Sequence, residues 1–121
     1  EIQVLDRHPL ITIGAHSHTH PNLNKLSRED SLTEMLSSKF LLEEKLNHSI
    51  DHFAYPYGTK NEATQREFEM IIECGFHTAV TTRLEKLERP NLNRIPRTGV
   101  PPFLSLQGFK GKISGLERIV R

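Results

Sequence analysis

Apolar positions along this chain switch between two spacings, and the switches mark out its elements. The nearly continuous apolar run Leu10-Ile11-Thr12-Ile13-Gly14-Ala15 predicts a strand over residues 10–17. Pro21-Asn22-Leu23-Asn24 is a turn by composition. Leu32, Met35, Leu36, Leu42 and Leu46 then recur at helical spacing. Ser27, with Asp30 three residues on, gives a capping-box-like start, so a helix is predicted from there to about Asn47, with Glu43, Glu44 and Lys45 on its solvated face. A second strand is predicted over 52–57, ending in Pro56-Tyr57-Gly58. Thr59 and Glu62 offer a second capping box, opening a helix that turns Phe68, Ile71 and Ile72 inward and stops at Gly75, which suits a left-handed C-terminal position. Strands over 76–82 and 92–96 follow, separated by a charged connection over 83–90. After Pro101-Pro102, apolar residues interrupted by Gly108, Gly111 and Gly115 predict a loop and a short terminal helix.

Strands alternating with helices are the signature of an α/β fold. With no internal repeat, low-complexity tract or linker, residues 1–121 read as one domain, and 121 residues are enough for one core and no second. Sixteen basic against fifteen acidic residues leave a net charge of +1, which gives no electrostatic footprint for nucleic acid or an anionic membrane. No apolar stretch approaches the roughly 20 residues that span a bilayer. The one cysteine, Cys74, excludes an internal disulfide and leaves the redox compartment open.

Chemistry concentrates in His16-Ser17-His18-Thr19-His20, three imidazoles in five residues at the end of an apolar run. Imidazole is the commonest neutral metal ligand, and ligands on a rigid element lose little entropy on gathering around an ion. If the strand continues through the cluster, all three histidines share a face. If it turns after Ser17, His16 and His20 converge and His18 points elsewhere. His48 and His52 flank the beginning of the second strand, far from Tyr57, and His8 and His77 read as ordinary turn and strand-start residues.

The order strand, His-Ser-x-x-His, capped helix, strand, Tyr-Pro-Tyr-Gly, helix, Gly-Phe, strand resembles the NodB-type polysaccharide deacetylases of carbohydrate esterase family 4. The family motif His-[Ser/Thr]-x-x-His is matched by His16, Ser17 and His20, and the motif Arg-x-Pro-[Tyr/Phe] in part by Phe53-Ala54-Tyr55-Pro56-Tyr57-Gly58. The resemblance covers about Pro9 to Pro96. It implies an irregular (β/α) barrel, here partial and lacking its N-terminal strands, and a metal-dependent hydrolase that removes N-acetyl groups from the amino sugars of a polysaccharide. His16 and His20 would bind a divalent metal, zinc above all. The Tyr57 backbone N–H would hold the oxyanion, with Ser17, Pro56 and Gly58 supporting the site. Tyr55, Tyr57 and Arg97 would face the glycan. His18 falls at a variable position of the motif and is expected not to be a ligand. Family members act largely on cell-envelope and exported glycans, which implies an extracytoplasmic setting.

The departures from the family pattern also carry expectations. The motif ending in Asp-Asp, source of the general base and the third ligand, does not occur, and Asp6, Asp30 and Asp51 cannot be transferred into its role. The arginine of the third motif is Ala54, and no later Leu-x-Ile-His supplies a general acid; Arg94 and Arg97 occupy that strand. The chain is therefore expected to be the C-terminal two-thirds or so of such a domain, inactive by itself, and to pair through an exposed sheet edge with the missing segment or a second copy. Two alternatives stand beside this reading. One is a catalytically dead, sugar-binding remnant of the same fold. The other is a His-x-His metal hydrolase of amidohydrolase or PHP type, in which His18 would be a ligand.

Overall fold

The computed structural model describes residues 1–85 and 91–114. The elements are α1 (Ile2–Asp6), α2 (Arg28–Leu46), β1 (His52–Ala54), α3 (Gln65–Glu73), β2 (Thr78–Val80) and α4 (Leu106–Ser114), with 3-10 turns at Leu23–Lys25 and Leu92–Arg94. The fold is mixed α/β around a small parallel sheet. β1 and β2 pair in parallel with His52 opposite Thr78, Phe53 opposite Ala79 and Ala54 opposite Val80. Single parallel bridges extend the sheet on both sides, Ala15 to Phe53 and Ile95 to Val80. Four extended segments thus lie side by side in chain order, α2 crossing from the first to the second and α3 from the second to the third, as parallel pairing requires.

The period of two sorts the sheet's residues. Phe53 and Ala79 face the helices, in a core with Ala15, Met35, Ile50, Tyr55, Phe68, Met70, Ile71 and Phe76. The opposite face, His52, Ala54, Thr78 and Val80, joins Thr12, Gly14 and His16 in lining a groove of about 460 Å³.

Helix α2 starts where the sequence places it: Ser27 Oγ accepts the Asp30 N–H at 3.0 Å, and Asn47 closes the helix in the left-handed region. Met35 is fully buried, with Leu32, Leu36, Leu42 and Leu46 packed against the core. Glu43 does not sit on a solvated face. Its carboxylate accepts the Ile50 N–H at 2.9 Å and pairs with Lys39 at 3.0 Å, tying the helix to the entry of β1.

Several other boundaries differ from expectation. The run over 10–17 pairs only at Ala15, because residues 8–11 turn: Ile11 N–H donates to His8 O, and Leu10 N–H to the His8 ring. Leu10 is left 88% exposed. Gly14 lies so close to β1 that a Cβ there would stand 3.0 Å from His52 O. β1 ends at Ala54, short of 57, since Pro56 has no N–H to offer and Tyr57 is left-handed at φ 61°. The N-cap of α3 is Thr64, not Thr59, and its capping box uses Glu67. Thr59 does bond Glu62, but that pair closes a turn before the helix. Phe68 and Ile71 are buried, whereas Ile72 is 63% exposed, one residue off the buried face. Gly75 is left-handed at φ 77°. The expected strand over 92–96 is a 3-10 turn followed by the bridge at Ile95. Asn93 is held there at both ends, its amide donating to Phe68 O and its carbonyl accepting the Tyr55 hydroxyl. The connection over 86–90 and the end of the terminal helix beyond Ser114 fall outside the described residues. α4 buries none of its residues.

Helix α1, which the pattern of the chain does not suggest, is tied down by Asp6. Both of its carboxylate oxygens meet His48 Nε2, at 2.9 and 3.0 Å. The His48 pKa is raised, first by its bond with the Ser49 carbonyl and then by Asp6. A raised folded-state value means that the contact stabilises fully below the ordinary value of 6.5 and fades as pH rises through the raised one. Hydrogen-exchange protection of α1 is therefore expected to be higher in mildly acidic than in mildly alkaline buffer, with Asp6→Asn removing the difference.

Candidate active site

The loop after Ala15 leaves the sheet and turns back on itself. Ser17 and His20 both adopt left-handed φ, 61° and 60°, and the His20 N–H donates to Ser17 Oγ at 3.1 Å. This fold-back sets the His16 and His20 rings edge to face, with centroids 4.7 Å apart. His16 Nδ1 lies 2.7 Å from the Ala54 carbonyl. A carbonyl can only accept, so Nδ1 carries the proton and Nε2 of the neutral ring keeps its lone pair, the arrangement by which metal-binding histidines are oriented.

The β1–α3 turn closes on the same spot. The Tyr57 ring packs edge-on against His20, with centroids 5.0 Å apart. Tyr57 and Gly58 are both left-handed, and a Cβ on Gly58 would meet Thr82 N at 3.0 Å and Tyr55 O at 3.2 Å. Thr82 holds the turn from β2: its hydroxyl donates to Tyr57 O at 2.7 Å and its N–H to Gly58 O at 3.0 Å. The Tyr57 N–H has no acceptor among the described residues. Two histidines and a backbone donor without an acceptor among the described residues therefore stand together at the C-terminal ends of adjacent extended segments.

A model of the polysaccharide deacetylase family matches residues 1–90. The chain belongs to that family. It is 28% identical over 108 residues to the putative polysaccharide deacetylase YxkH of Bacillus subtilis (strain 168), covering 88% of this chain and 38% of YxkH. The Streptococcus pyogenes deacetylase PplD, solved in complex with acetate, superposes with a TM-score of 0.72 at 26% identity, covering 80% of this chain and 42% of PplD. IcaB from Ammonifex degensii gives 0.67 at 23% identity, covering 84% and 46%, a likeness of fold. The chain thus spans less than half the length of each of these relatives.

Within this segment the ring contacts join His16 to His20, while His18 enters through its backbone, whose N–H donates to Glu34. No group of three or more His, Cys, Asp or Glu side chains that could hold an ion occurs among the described residues. The three aspartates are engaged elsewhere: Asp6 with His48, Asp30 with Ser27, and Asp51 with Ser49 and His77. Two imidazoles fit a borderline-soft divalent ion in kind, but in number they fall short of the three protein ligands of a catalytic zinc.

Tyr55 departs from expectation. It is 1% exposed, wedged between Phe53 and Phe68 at centroid distances of 5.5 and 5.6 Å, and its hydroxyl donates to Asn93 O at 2.7 Å. Burial pushes its pKa upward, and no face is left for a sugar. It is a core residue; Tyr57, 55% exposed, is the aromatic at the surface. Tyr55→Phe should cost about 1 kcal/mol, the lost hydrogen bond, in chemical denaturation, and leave glycan binding unchanged. Arg97 Nε donates to Thr81 O at 3.0 Å, next to the threonine that holds the Tyr57 turn.

Sequence reading overlooked Glu34, Arg66 and Glu67. Glu34 reaches from α2 to the histidine loop, accepting the N–H groups of His18 and Thr19 at 2.9 and 2.8 Å and the Thr19 hydroxyl at 2.7 Å. Its partial burial alone would raise its pKa, but the bonds from Thr19 and His18 outweigh that and hold it below the usual range. Arg66 donates to Leu26 O at 3.0 Å and Leu23 O at 2.6 Å, clamping the 3-10 turn through which the loop enters α2. No local motif marks Glu34. The Thr64-x-x-Glu67 capping box did mark Glu67.

Proposed function

We propose that this chain carries the two-histidine and oxyanion portion of a hydrolase that removes N-acetyl groups from the amino sugars of a polysaccharide. The observation that carries the reading is the His16–Ala54 hydrogen bond, which fixes the tautomer of an imidazole standing beside a second imidazole and the Tyr57 turn. His16 Nε2 and His20 would hold a divalent ion, with a carboxylate from outside the described residues completing the set. Zinc bound there would supply Lewis acidity at the acetamide carbonyl.

The chain's own residues do the rest. Ser17 keeps the loop folded back through the His20 N–H. The Tyr57 N–H is the donor for the oxyanion, where losing one such donor typically costs about 10² to 10³ in rate. Pro56, which is buried, and Gly58 fix the turn that aims it. The exposed Tyr57 ring offers a sugar-stacking face, and Arg97 an adjacent cation. The architecture into which this segment fits is the irregular (β/α) barrel of the family, the groove beside His16 forming part of its inner surface.

Acetate release from N-acetylglucosamine oligomers, measured on the protein that carries this chain with and without a chelator, tests the reading. Chelator-sensitive release supports it, and release indifferent to chelator contradicts it. Ala54 in place of the motif's arginine favours a second reading, a sugar-binding remnant, which oligomer binding without turnover in metal-supplemented buffer would establish. The sheet edge at Ala15, held on its inner side by one bridge, is where another segment or a second copy would add a strand. A monomer by light scattering, with no binding of a surface-hydrophobe dye, would contradict that pairing.

A further inference from the structure

The histidine loop is built from conformations that the chain does not adopt without support. Ser17 and His20, neither of them glycine, sit at φ 61° and 60°. Left-handed backbone at such residues is strained and persists only when its surroundings over-determine it. Ser17 Oγ supplies one support by accepting the His20 N–H. Among the described residues, the other hydrogen bonds to the segment between the two histidines all end on one carboxylate. Glu34 Oε2 accepts the His18 N–H at 2.9 Å and the Thr19 N–H at 2.8 Å, and Oε1 accepts the Thr19 hydroxyl at 2.7 Å. Bonds to an ionised acceptor are roughly twice as strong as neutral ones.

Glu34 stands in the second turn of α2, a helix anchored at its start by the Ser27 cap and along its length by Met35 in the core. The loop is therefore gripped from a rigid element at His18 and Thr19, midway between the two imidazoles. We infer that Glu34 is a positioning residue of the two-histidine site: it touches neither ion nor substrate, and fixes the loop so that both imidazoles meet one ion. This rests on the reading of His16 and His20 as ligands. Outer partners that orient ligands typically carry 10- to 100-fold of metal affinity.

Zn²⁺ binding to the protein that carries this chain, near neutral pH, followed by calorimetry and by the imidazole resonances of His16 and His20, tests this. Glu34→Gln keeps the size of the side chain and removes its charge; it should weaken Zn²⁺ binding by about 10- to 100-fold and expose the His18 and Thr19 amides to hydrogen exchange. Thr19→Val, which removes one of the three bonds without touching α2, should give a smaller loss in the same direction. Glu43→Gln is the control for helix stability, since Glu43, on the same helix, accepts the Ile50 N–H at the entry of β1. It should lower thermal stability and leave Zn²⁺ affinity unchanged. Unchanged affinity in Glu34→Gln, or equal weakening in Glu43→Gln, overturns the positioning role. Absence of Zn²⁺ binding by the unsubstituted protein that carries this chain overturns instead the reading of the two histidines, and the inference with it.

Discussion

His16→Ala and His20→Ala are each expected to reduce chelator-sensitive acetate release by the protein carrying this chain to the uncatalysed background, with the fold retained. One imidazole does not hold a catalytic ion, for which three protein ligands are the norm. His16 loses in addition the Nδ1 bond to Ala54 O that sets its tautomer. Neither ring belongs to the buried core, so circular dichroism and denaturation midpoints should stay close to those of the unsubstituted protein. His18→Ala is the internal control. The ring contact joins His16 to His20, and the loop holds His18 through its backbone N–H, which alanine keeps. Activity in His18→Ala should therefore persist; its loss would return the His-x-His alternative to the front.

The largest stability effect is expected at Glu67. Its side chain is 0% exposed, yet it is ionised: Arg66 Nε donates to it at 2.6 Å, the Thr64 hydroxyl and N–H at 2.7 and 2.9 Å, and Asn24 at 3.3 Å. Burial, the largest single influence, pushes its pKa up, and the bonds from Thr64, Arg66 and Asn24 together bring it below the ordinary 4.5. Glu67→Ala breaks a buried pair from one side and strips the α3 capping box, at a cost of about 3 kcal/mol in urea denaturation. That is the low end for such pairs, because Arg66 is one-third exposed and water can take over part of its solvation. The damage should reach the histidine loop, since Arg66 and Asn24 hold the 3-10 turn that follows it. A depressed folded-state pKa contributes stability above the unfolded value and loses it as pH falls through the depressed one. Acid unfolding of the unsubstituted protein should therefore steepen below about pH 4, and that component should vanish in Glu67→Gln.

What the sequence disclosed, it disclosed through short-range order. The Ser27–Asp30 cap, Asn47 and Gly75 are decided within three or four residues, and each stands at its expected place. The His-Ser-x-x-His spacing is equally local. The two boxes Thr59-x-x-Glu62 and Thr64-x-x-Glu67 look alike in sequence, and what separates them is tertiary. Glu67 is buried against Arg66 and Asn24, whereas Glu62 closes a surface turn. Ile71 and Ile72 are neighbours of equal hydrophobicity, and only the direction in which α3 packs decides which one is covered. Tyr55 and Tyr57 present the same problem around Pro56: the first points into the core and the second stands left-handed at the surface. Glu34 was beyond reach, because its partners lie fifteen and sixteen residues away across a loop whose backbone is left-handed at two non-glycine positions.

The central claim is that His16 and His20, and not His18, hold one divalent ion. A titration with Zn²⁺ of the ¹⁵N-histidine-labelled protein that carries this chain reads it directly at the imidazole nitrogens. The account predicts saturation at one ion per chain, large shifts of Nε2 in His16 with its Nδ1 still protonated against Ala54 O, matching shifts in His20, and a quiet His18 ring. Two ions per chain with His18 among the shifted rings, or no shift in either His16 or His20, would contradict it.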